Sequence, residues 1–202
     1  MNKLPIDFYN RKNVVEIARE LIGKIAITNF DGVLTSGTIV ETEAYAGIAD
    51  KASHAYAGRR TPRNEHMYAK GGTTYIYICY GIHQMFNIVT NESEIPDAVL
   101  IRALEPIEGI EIMLERTGKK KPDHTLTRGP GNVGRALGMN KSHSGLSLTG
   151  NEIFIASDDI VIADEKIGAS KRIGVAYAEM DAMLPYRFYL KGNKYVSGKP
   201  NQ

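Results

Sequence analysis

Cysteine is almost absent from this sequence of 202 residues, and tryptophan is absent altogether. The single cysteine, Cys79, excludes an internal disulfide and a metal site built on two thiolates. Long apolar stretches are missing as well. No segment approaches the ~20 apolar residues of a membrane span, and the first residues lack the apolar segment of a secretion signal. These features predict an intracellular, cytoplasmic protein that does not associate with a membrane.

A large excess of one charge is also missing, because 25 Lys and Arg residues oppose 23 Asp and Glu residues. The charges are nevertheless unevenly distributed. From Arg116 to Lys141 there are seven basic residues and a single acid, and residues 56–72 hold four basic residues and one acid. Such clusters can present a basic face to a polyanion such as a nucleic acid, although solvated loops would show the same pattern.

The length and the hydrophobic pattern predict one domain over residues 1–202. Asn13 is suited to cap a helix over residues 14–22, and Asp31-Gly32 is a strong signal for a tight hairpin. Strands do not alternate regularly with helices, which predicts an α+β fold: a single compact domain with a curved, mostly antiparallel sheet and flanking helices. Strands are predicted at residues 24–30, 33–45, 73–80, 84–90, 98–104, 152–156, 172–177 and 187–190, and further helices at 107–116 and 130–137.

One of these strands carries two carboxylates close together. Because side chains alternate along a strand, Ile39, Glu41, Glu43 and Tyr45 are expected to share one face. A solvent-facing strand would explain this pattern equally well. Many enzymes hydrolyse a glycosidic bond with a pair of carboxylates, so acid–base chemistry on such a bond is the functional alternative.

A single charge, Arg102, interrupts an otherwise apolar strand. A buried charge requires a partner, and Glu43 is one candidate. An arginine would hold that carboxylate ionised, as a general base requires. A purely structural ion pair and an arginine on an exposed face are the alternatives.

Three tyrosines, Tyr75, Tyr77 and Tyr80, crowd one short strand and the turn after it. Tyr75 is expected to pack in the core, whereas Tyr80, next to Gly81, is expected to project. Flat rings stack on nucleobases with ~1–3 kcal/mol per base, and enzymes that extrude a base from a duplex usually fill the gap. The loop residue His54 is typical of an incidental surface position, and the histidines show no metal-ligand spacing, so no metal site is expected.

Residues 129–134, with the sequence Gly-Pro-Gly-Asn-Val-Gly, match the G-x-G-x-x-G pattern. A dinucleotide site is not expected there, because no convincing strand precedes the motif and proline occupies its turn. A helix start beside Arg128 could hold a phosphate of a nucleic-acid backbone, and a plain loop-to-helix turn is the alternative.

Several short motifs follow one another along residues 21–197. They are Glu41-Thr42-Glu43-Ala44-Tyr45, Ser53-His54, Arg60-Thr61-Pro62-Arg63-Asn64, Tyr75-Ile76-Tyr77, Tyr80-Gly81, Asn87, Arg102-Ala103-Leu104-Glu105-Pro106, Gly129-Pro130, Ala136-Leu137, Asn140-Lys141 and Arg187-Phe188-Tyr189. Each motif alone is weak, but their order and spacing are highly specific. Together they resemble the alkyladenine (3-methyladenine or methylpurine) DNA glycosylase family.

The resemblance implies a curved antiparallel sheet with a protruding hairpin that enters the minor groove of DNA. It implies that Glu43 is the general base and that Arg102 orients the attacking water. It also implies that the main-chain carbonyl of Ile173 helps to hold this water.

The same resemblance assigns the residues that handle the base. It implies that Tyr45, His54 and Tyr77 enclose the flipped base and that Tyr80 intercalates into the DNA stack. Asn87 is implied to exclude normal guanine by clashing with its exocyclic amine.

The implied activity is that of a monofunctional DNA-3-methyladenine glycosylase in base excision repair, acting as a monomer on double-stranded DNA. The implied substrates are 3-methyladenine, 7-methylguanine, hypoxanthine and ethenoadenine. Alkylated purines leave readily, so Glu41 is expected to be structural rather than a catalytic acid. No motif places a lysine for a Schiff base, so we expect an abasic product without strand cleavage, and no cofactor.

Three alternatives stay open at the level of sequence. A non-catalytic nucleic-acid-binding module would have no need of Glu43 or Arg102. A carbohydrate hydrolase using Glu41 and Glu43 would be expected to have sugar-binding aromatics, yet the chain has no tryptophan. A hydrolase of free nucleosides would have no use for Tyr80 or for the basic loops.

Overall fold

The centre of the fold is an antiparallel β-sheet built around one long strand. The structure, a computed structural model, describes residues 2–158 and 160–198, and nine strands in this part of the chain join the sheet. These strands are β1 (Asn2–Lys3), β2 (Ile25–Phe30), β3 (Val33–Ala46), β4 (Thr74–Cys79), β5 (His83–Thr90), β6 (Asp97–Glu108), β7 (Ile153–Ser157), β8 (Ile167–Ser170) and β9 (Arg187–Leu190).

The long strand β3 has different neighbours along its two halves. Its first half pairs with β2, and its second half pairs with β9 through Glu41–Glu43. Strand β6 runs along the other edge of β3, followed by β5 and then β4. The second half of β3 is therefore held from both sides, in the middle of the sheet.

Helices cover the sheet and bury its apolar face. The α-helices are α1 (Ile6–Tyr9), α2 (Val14–Glu20), α3 (Ile110–Thr117) and α4 (Pro130–Ala136). Short 3-10 turns lie at Gly47–Ala49, Tyr56–Gly58, Glu65–Tyr68, His124–Leu126, Lys141–His143, Asp164–Lys166 and Ala176–Met183. Helix α2 packs on β3, and α4 packs on β5 and β6. Ile17, Ile39, Phe86, Leu104 and Leu137 are fully buried in the resulting core.

Local sequence explains the ends of several elements. The Asn13 side chain accepts a hydrogen bond from the Glu16 N–H and so caps α2, as predicted. Asp31 and Gly32 both have positive φ, 53° and 81°, which the tight turn between β2 and β3 requires. The predicted hairpin is therefore confirmed.

The α+β class with a mostly antiparallel sheet is confirmed, although the bounds of several elements differ from the predicted ones. Helix α2 ends at Glu20, two residues before its predicted end. The helix predicted at 107–116 begins only at Ile110, because β6 continues to Glu108 and Gly109 turns the chain with a φ of 74°.

The strand predicted at residues 172–177 is wrong. Strand β8 lies earlier, at Ile167–Ser170, and residues 172–175 are irregular. Gly174 has a φ of 78°, and the Ile173 N–H donates to a carboxylate instead of a neighbouring strand. The alternating apolar residues of this segment resemble those of a strand, but the Ile173 N–H is bonded to a side chain and not to another strand.

No helix within residues 2–158 and 160–198 has the length and apolar character to span a membrane.

Candidate active site

Two β-bulges shape the centre of the β3–β6 ladder. The pairing skips Val40 in β3 and Arg102 in β6, so each is an extra residue in its strand. The bulge in β6 turns Arg102 towards the carboxylates of β3, although its neighbours Ile101 and Ala103 are buried apolar residues. The charge that interrupts this apolar strand is therefore accommodated by a local irregularity.

The bulge in β3 also decides which residues share a face. Glu41, Glu43 and Tyr45 lie on one face, as predicted, since both glutamates contact Arg102 and the Tyr45 hydroxyl contacts Glu43. The prediction is wrong for Ile39, which packs in the core against the helices. The extra residue interrupts the alternation between Ile39 and Glu41.

Glu43 is fully buried and accepts three hydrogen bonds. Its Oε2 accepts from the Tyr45 hydroxyl at 2.8 Å and from Arg102 Nη1 at 3.2 Å. Its Oε1 accepts from the backbone N–H of Ile173 at 2.7 Å. Because each carboxylate oxygen offers about two lone-pair sites, Oε2 is saturated and Oε1 retains one free site.

Arg102 has a partner for each side of its guanidinium group. Nε donates to Glu41 at 2.9 Å, Nη1 donates to Glu43, and Nη2 donates to the Ser197 hydroxyl at 3.3 Å. Burial acts to lower the pKa of Arg102, but the carboxylates of Glu43 and Glu41 outweigh burial and raise it. The expected ion pair with Glu43 is present, and Glu41 is a second partner.

Glu41 has no exposed surface and a complete set of donors. Its Oε1 accepts from Arg102, from Arg187 Nε at 2.7 Å and from the Ser197 hydroxyl at 2.9 Å, and its Oε2 accepts from the Ser197 N–H at 2.7 Å. Its donors are two arginines and Ser197, whereas Glu43 is bonded to Tyr45. This geometry agrees with the expectation that Glu41 is structural.

A second buried ion pair supports the Tyr45 ring. Arg172 Nη2 donates to Asp50 at 2.8 Å, and Nη1 donates to the Ala44 carbonyl at 2.9 Å. The guanidinium group lies 4.9 Å from the Tyr45 ring centroid, within the range of a cation–π contact. Burial, followed by the Glu43 carboxylate, raises the pKa of Tyr45 well above its ordinary value. The hydroxyl therefore keeps its proton and donates a hydrogen bond to Glu43.

A pocket opens directly beside Tyr45. The space inside it is about 350 Å³ when its open mouth is included. Its walls are mostly aromatic. The lining residues are Tyr45, Ala52, His54, Met67, Tyr75, Tyr77, Asn87, Ala98 and Tyr177.

His54 is part of this pocket and not an incidental surface residue. Its Nδ1 lies 2.8 Å from the Tyr75 hydroxyl, and its ring meets that of Tyr77 edge to face, with centroids 4.6 Å apart. Burial, helped by the charges of Arg63 and Arg59, lowers the pKa of His54 to about 4. The imidazole is therefore neutral at pH 7.

Asn87 lies at the back of the pocket and is held firmly. Its Nδ2 donates to the carbonyls of Tyr75 and Met85, both at 3.1 Å. This pair of bonds fixes the amide orientation, so Oδ1 is the atom left for a ligand. Tyr75, expected in the core, is buried but also lines the pocket, because its hydroxyl anchors His54.

Tyr80 projects from the β4–β5 hairpin, which protrudes as expected. Its side chain is 91% exposed, and both Tyr80 and Gly81 have positive φ. Ile78 and Ile82, on either side of the tip, are exposed as well. An exposed apolar tip of this kind is typical of an interaction surface.

The structure joins the predicted site residues Glu43, Arg102, Tyr45 and Ile173 in one network, and it places His54, Tyr77 and Asn87 in the adjoining pocket. Sequence reasoning missed Arg187, Ser197 and Tyr177. A charged residue within a short apolar strand was the available signal for Arg187, as it was for Arg102. No sequence signal marked Ser197.

Two further sequence features lie outside this network. The glycine motif forms the start of α4, and the neighbouring Arg128 donates to the Gly198 carbonyl at 3.2 Å. Within the described parts of the chain, no group of three or more His, Cys, Asp or Glu side chains could hold a metal ion.

Comparison with known proteins gives matches over nearly the whole chain. The sequence model of the family described as methylpurine-DNA glycosylase (MPG) matches residues 7–194. Three similar proteins each bear the name "Putative 3-methyladenine DNA glycosylase". The protein from Clostridium perfringens (strain 13 / Type A) is 43% identical, and the match covers 98% of this chain and all of that protein. The protein from Desulfitobacterium hafniense (strain Y51) is 45% identical with the same coverage. The protein from Chlamydia felis (strain Fe/C-56) is 46% identical, and the match covers 95% of this chain and 97% of that protein.

Proposed function

The chain belongs to the methylpurine-DNA glycosylase family, and on that premise we propose that it releases damaged purines from double-stranded DNA with a water activated by Glu43. Membership of this family makes the protein a hydrolase of N-glycosidic bonds that acts in DNA repair. The proposal concerns which residues perform the reaction and which bases are removed.

The observation that carries the proposal is the hydrogen bonding of Glu43. Three donors hold the carboxylate in place, and one acceptor site on Oε1 stays free. A water bound there can give its proton to Glu43 while its oxygen attacks the anomeric carbon of the sugar, and the N-glycosidic bond breaks with its electron pair going to the departing purine. In this proposal Arg102, which is bonded to Glu43, orients the water, and the carbonyl of Ile173, the residue whose N–H donates to Oε1, helps to hold it.

Access of water to Glu43 requires a movement. The Glu43 side chain has no exposed surface, whereas Ile173, whose N–H donates to Oε1, is 39% exposed. Gly174 follows, with the backbone freedom that a shift of this segment needs. Catalytic contacts often reach their final geometry only when the substrate is bound, so we propose that DNA binding moves Ile173 aside.

The aromatic pocket supports recognition of an electron-poor purine. Tyr45 and Tyr77 present ring faces and edges next to Glu43, and an alkylated purine carries positive charge that such rings attract by ~0.5–2 kcal/mol. His54 is neutral near pH 7 and adds no repulsion. Asn87 is fixed by two carbonyls and cannot retreat, which supports its role in excluding the exocyclic amine of guanine.

Tyr80 supplies the filler for the gap that the flipped nucleotide leaves. Its ring is exposed at the tip of the hairpin whose first strand also carries Tyr77 into the pocket. Insertion of Tyr80 and entry of the base are therefore coupled by one rigid element. A damaged or mismatched base costs less to unpair, which adds selectivity.

We propose hydrolysis alone, with an abasic product. No lysine is among the described residues that line the pocket, so no amine is placed to form a Schiff base. The proposed substrates are 3-methyladenine, 7-methylguanine, hypoxanthine and ethenoadenine, removed in base excision repair inside the cell. The site residues span Glu41 to Ser197, which supports a single domain, and we propose that it acts as a monomer.

A single-turnover assay tests the proposal. Duplexes with one hypoxanthine or one ethenoadenine are incubated with excess protein, and abasic sites are revealed with hot alkali. We expect cleavage only after alkali, none with Glu43→Gln, and DNA affinity unchanged by that substitution. Glu105→Gln is the matched control, because it neutralises a carboxylate of β6 that contacts only Asn193 among the hydrogen bonds described.

The outcomes separate the alternatives. Equal loss of binding and base release in Glu43→Gln would contradict its role as the base. If neither duplex is cleaved, methylated genomic DNA scored for released 3-methyladenine is the next substrate. Binding without any release from all three substrates would indicate a non-catalytic DNA-binding protein.

A further inference from the structure

We propose that Glu41 is a positioning residue of this site: it fixes the direction in which Arg102 holds Glu43 and sets the charge around that base. The inference rests on the proposed function of Glu43. It gives a role to the second carboxylate of the pair, which the reaction itself does not use.

Two of the three contacts of Arg102 depend on Glu41. Arg102 Nε donates to Glu41 directly, and Arg102 Nη2 donates to Ser197, which is itself bonded to Glu41 through both its N–H and its hydroxyl. The only remaining contact is the one to Glu43. Without Glu41, nothing in this network would stop the guanidinium group from rotating towards Glu43 alone.

Charge balance leads to the same conclusion. Glu41 and Glu43 face Arg102 and Arg187, and all four residues are buried, so the cluster is neutral with both carboxylates ionised. Loss of the Glu41 charge leaves two cations around one anion. The carboxylate of Glu43 would then bind a proton less readily, which weakens it as a base.

The other groups that face Glu43 would keep their charge. They are Tyr45 on the same strand, Tyr77 on β4, Arg172 and Tyr177 on the segment after β8, and Arg187 on β9. A change of pH dependence after replacement of Glu41 therefore reports the Glu41 charge.

The test compares Glu41→Gln with Glu41→Asp and with the control Glu105→Gln. Glu105 on β6 accepts from Asn193 at 2.7 Å and so ties down the same C-terminal segment as Glu41, without touching Arg102. Single-turnover rates on the ethenoadenine duplex are measured from pH 5 to 9, together with DNA affinity and thermal unfolding.

We expect Glu41→Gln to lower the rate at neutral pH by about tenfold or more, because a small misplacement of a reacting group can cost up to ~100-fold in rate. We also expect the acidic limb of its pH–rate profile to move to lower pH, with DNA affinity unchanged. Glu41→Asp keeps the charge but has a shorter side chain. The acidic limb of its pH–rate profile should therefore stay at the wild-type position, while its rate is only partly restored. Glu105→Gln should match the wild type in both rate and limb.

Two results would overturn the inference: a Glu41→Gln protein with the wild-type rate and limb, or one that loses rate and stability with the limb unmoved. If Glu41→Gln does not fold, Ser197→Ala decides, because it removes one hydroxyl contact to Glu41 and to Arg102. An unchanged rate in Ser197→Ala, with Glu41→Asp equal to the wild type, would refute the role. Failure of the wild type to release bases, or full activity of Glu43→Gln, would instead refute the proposed function.

Discussion

Arg187 lies directly opposite Glu43 in the ladder between β3 and β9, yet its guanidinium group donates to Glu41. It also donates to the Ser197 carbonyl and to the Ser170 hydroxyl at 3.0 Å. Glu43 is thereby left to Arg102, Tyr45 and Ile173. The two carboxylates of β3 share Arg102, but their other partners differ although they are only two residues apart.

Removal of Arg187 should destabilise the protein strongly. Arg187→Met leaves the buried charge of Glu41 with Arg102 as its only cation, and breaking a buried ion pair costs ~3–5 kcal/mol, so we expect a loss of about 3 kcal/mol in the free energy of unfolding. Urea denaturation measures this loss. Arg19→Met is the control, because Arg19 pairs with Asp164 at the surface, where ion pairs contribute little. Equal effects of the two substitutions would contradict the network described for Glu41.

Removal of the Tyr80 ring should impair base flipping and spare the fold. Stacking contributes ~1–3 kcal/mol per ring, which corresponds to a roughly 5- to 150-fold lower rate of ethenoadenine release by Tyr80→Ala. The fluorescence change of ethenoadenine on leaving the stack measures flipping, and thermal unfolding measures stability. Tyr56→Ala, also exposed but outside the hairpin, should behave as the wild type. A Tyr80→Ala protein that no longer folds would mean that the ring is part of the core.

Stability should fall on mild acidification because of His54. Its pKa is lowered from 6.5 to about 4 in the folded protein, so between these values the unfolded chain binds a proton that the folded protein does not. The contribution is fully present above about pH 6.5 and is lost as the pH falls towards 4, and its size is ~3 kcal/mol at most. Urea midpoints between pH 7 and 4.5 should fall less steeply in His54→Gln than in the wild type. Tyr177→Phe, a pocket variant that keeps His54, should retain the wild-type slope.

Local chemistry predicted a large part of the fold. The Asp31-Gly32 turn, the Asn13 cap and the strand at residues 187–190 follow from backbone preferences and alternation that act over a few residues. The prediction of a strand at residues 172–177 failed because this segment depends on residues that are distant in the sequence. The Ile173 N–H is bonded to Glu43 and the Arg172 side chain to Asp50, both more than 100 positions away, and no pattern within the segment reports such distant partners.

Part of the site could likewise be predicted from local sequence, and part of it could not. Alternation placed Glu41, Glu43 and Tyr45 together, and the lone charge of Arg102 called for a buried partner. His54 and Asn87 became candidates only through family resemblance, since a loop histidine and a strand asparagine carry no signal of their own. The bulges at Val40 and Arg102 could not be predicted, because each depends on how β3 pairs with β6 and not on the sequence of one strand alone.

The bond between Ser197 and Glu41 has a consequence for the timing of activity. It joins positions that are 156 residues apart, so Arg102 is not fixed until the chain has been synthesised as far as Ser197. A growing chain, or a fragment that ends earlier, can already contain the hairpin and the aromatic pocket. On the proposed roles of Glu43 and Arg102, such a species lacks the contacts that hold the general base in place, so the capacity to cut a glycosidic bond would appear only in the last stage of assembly.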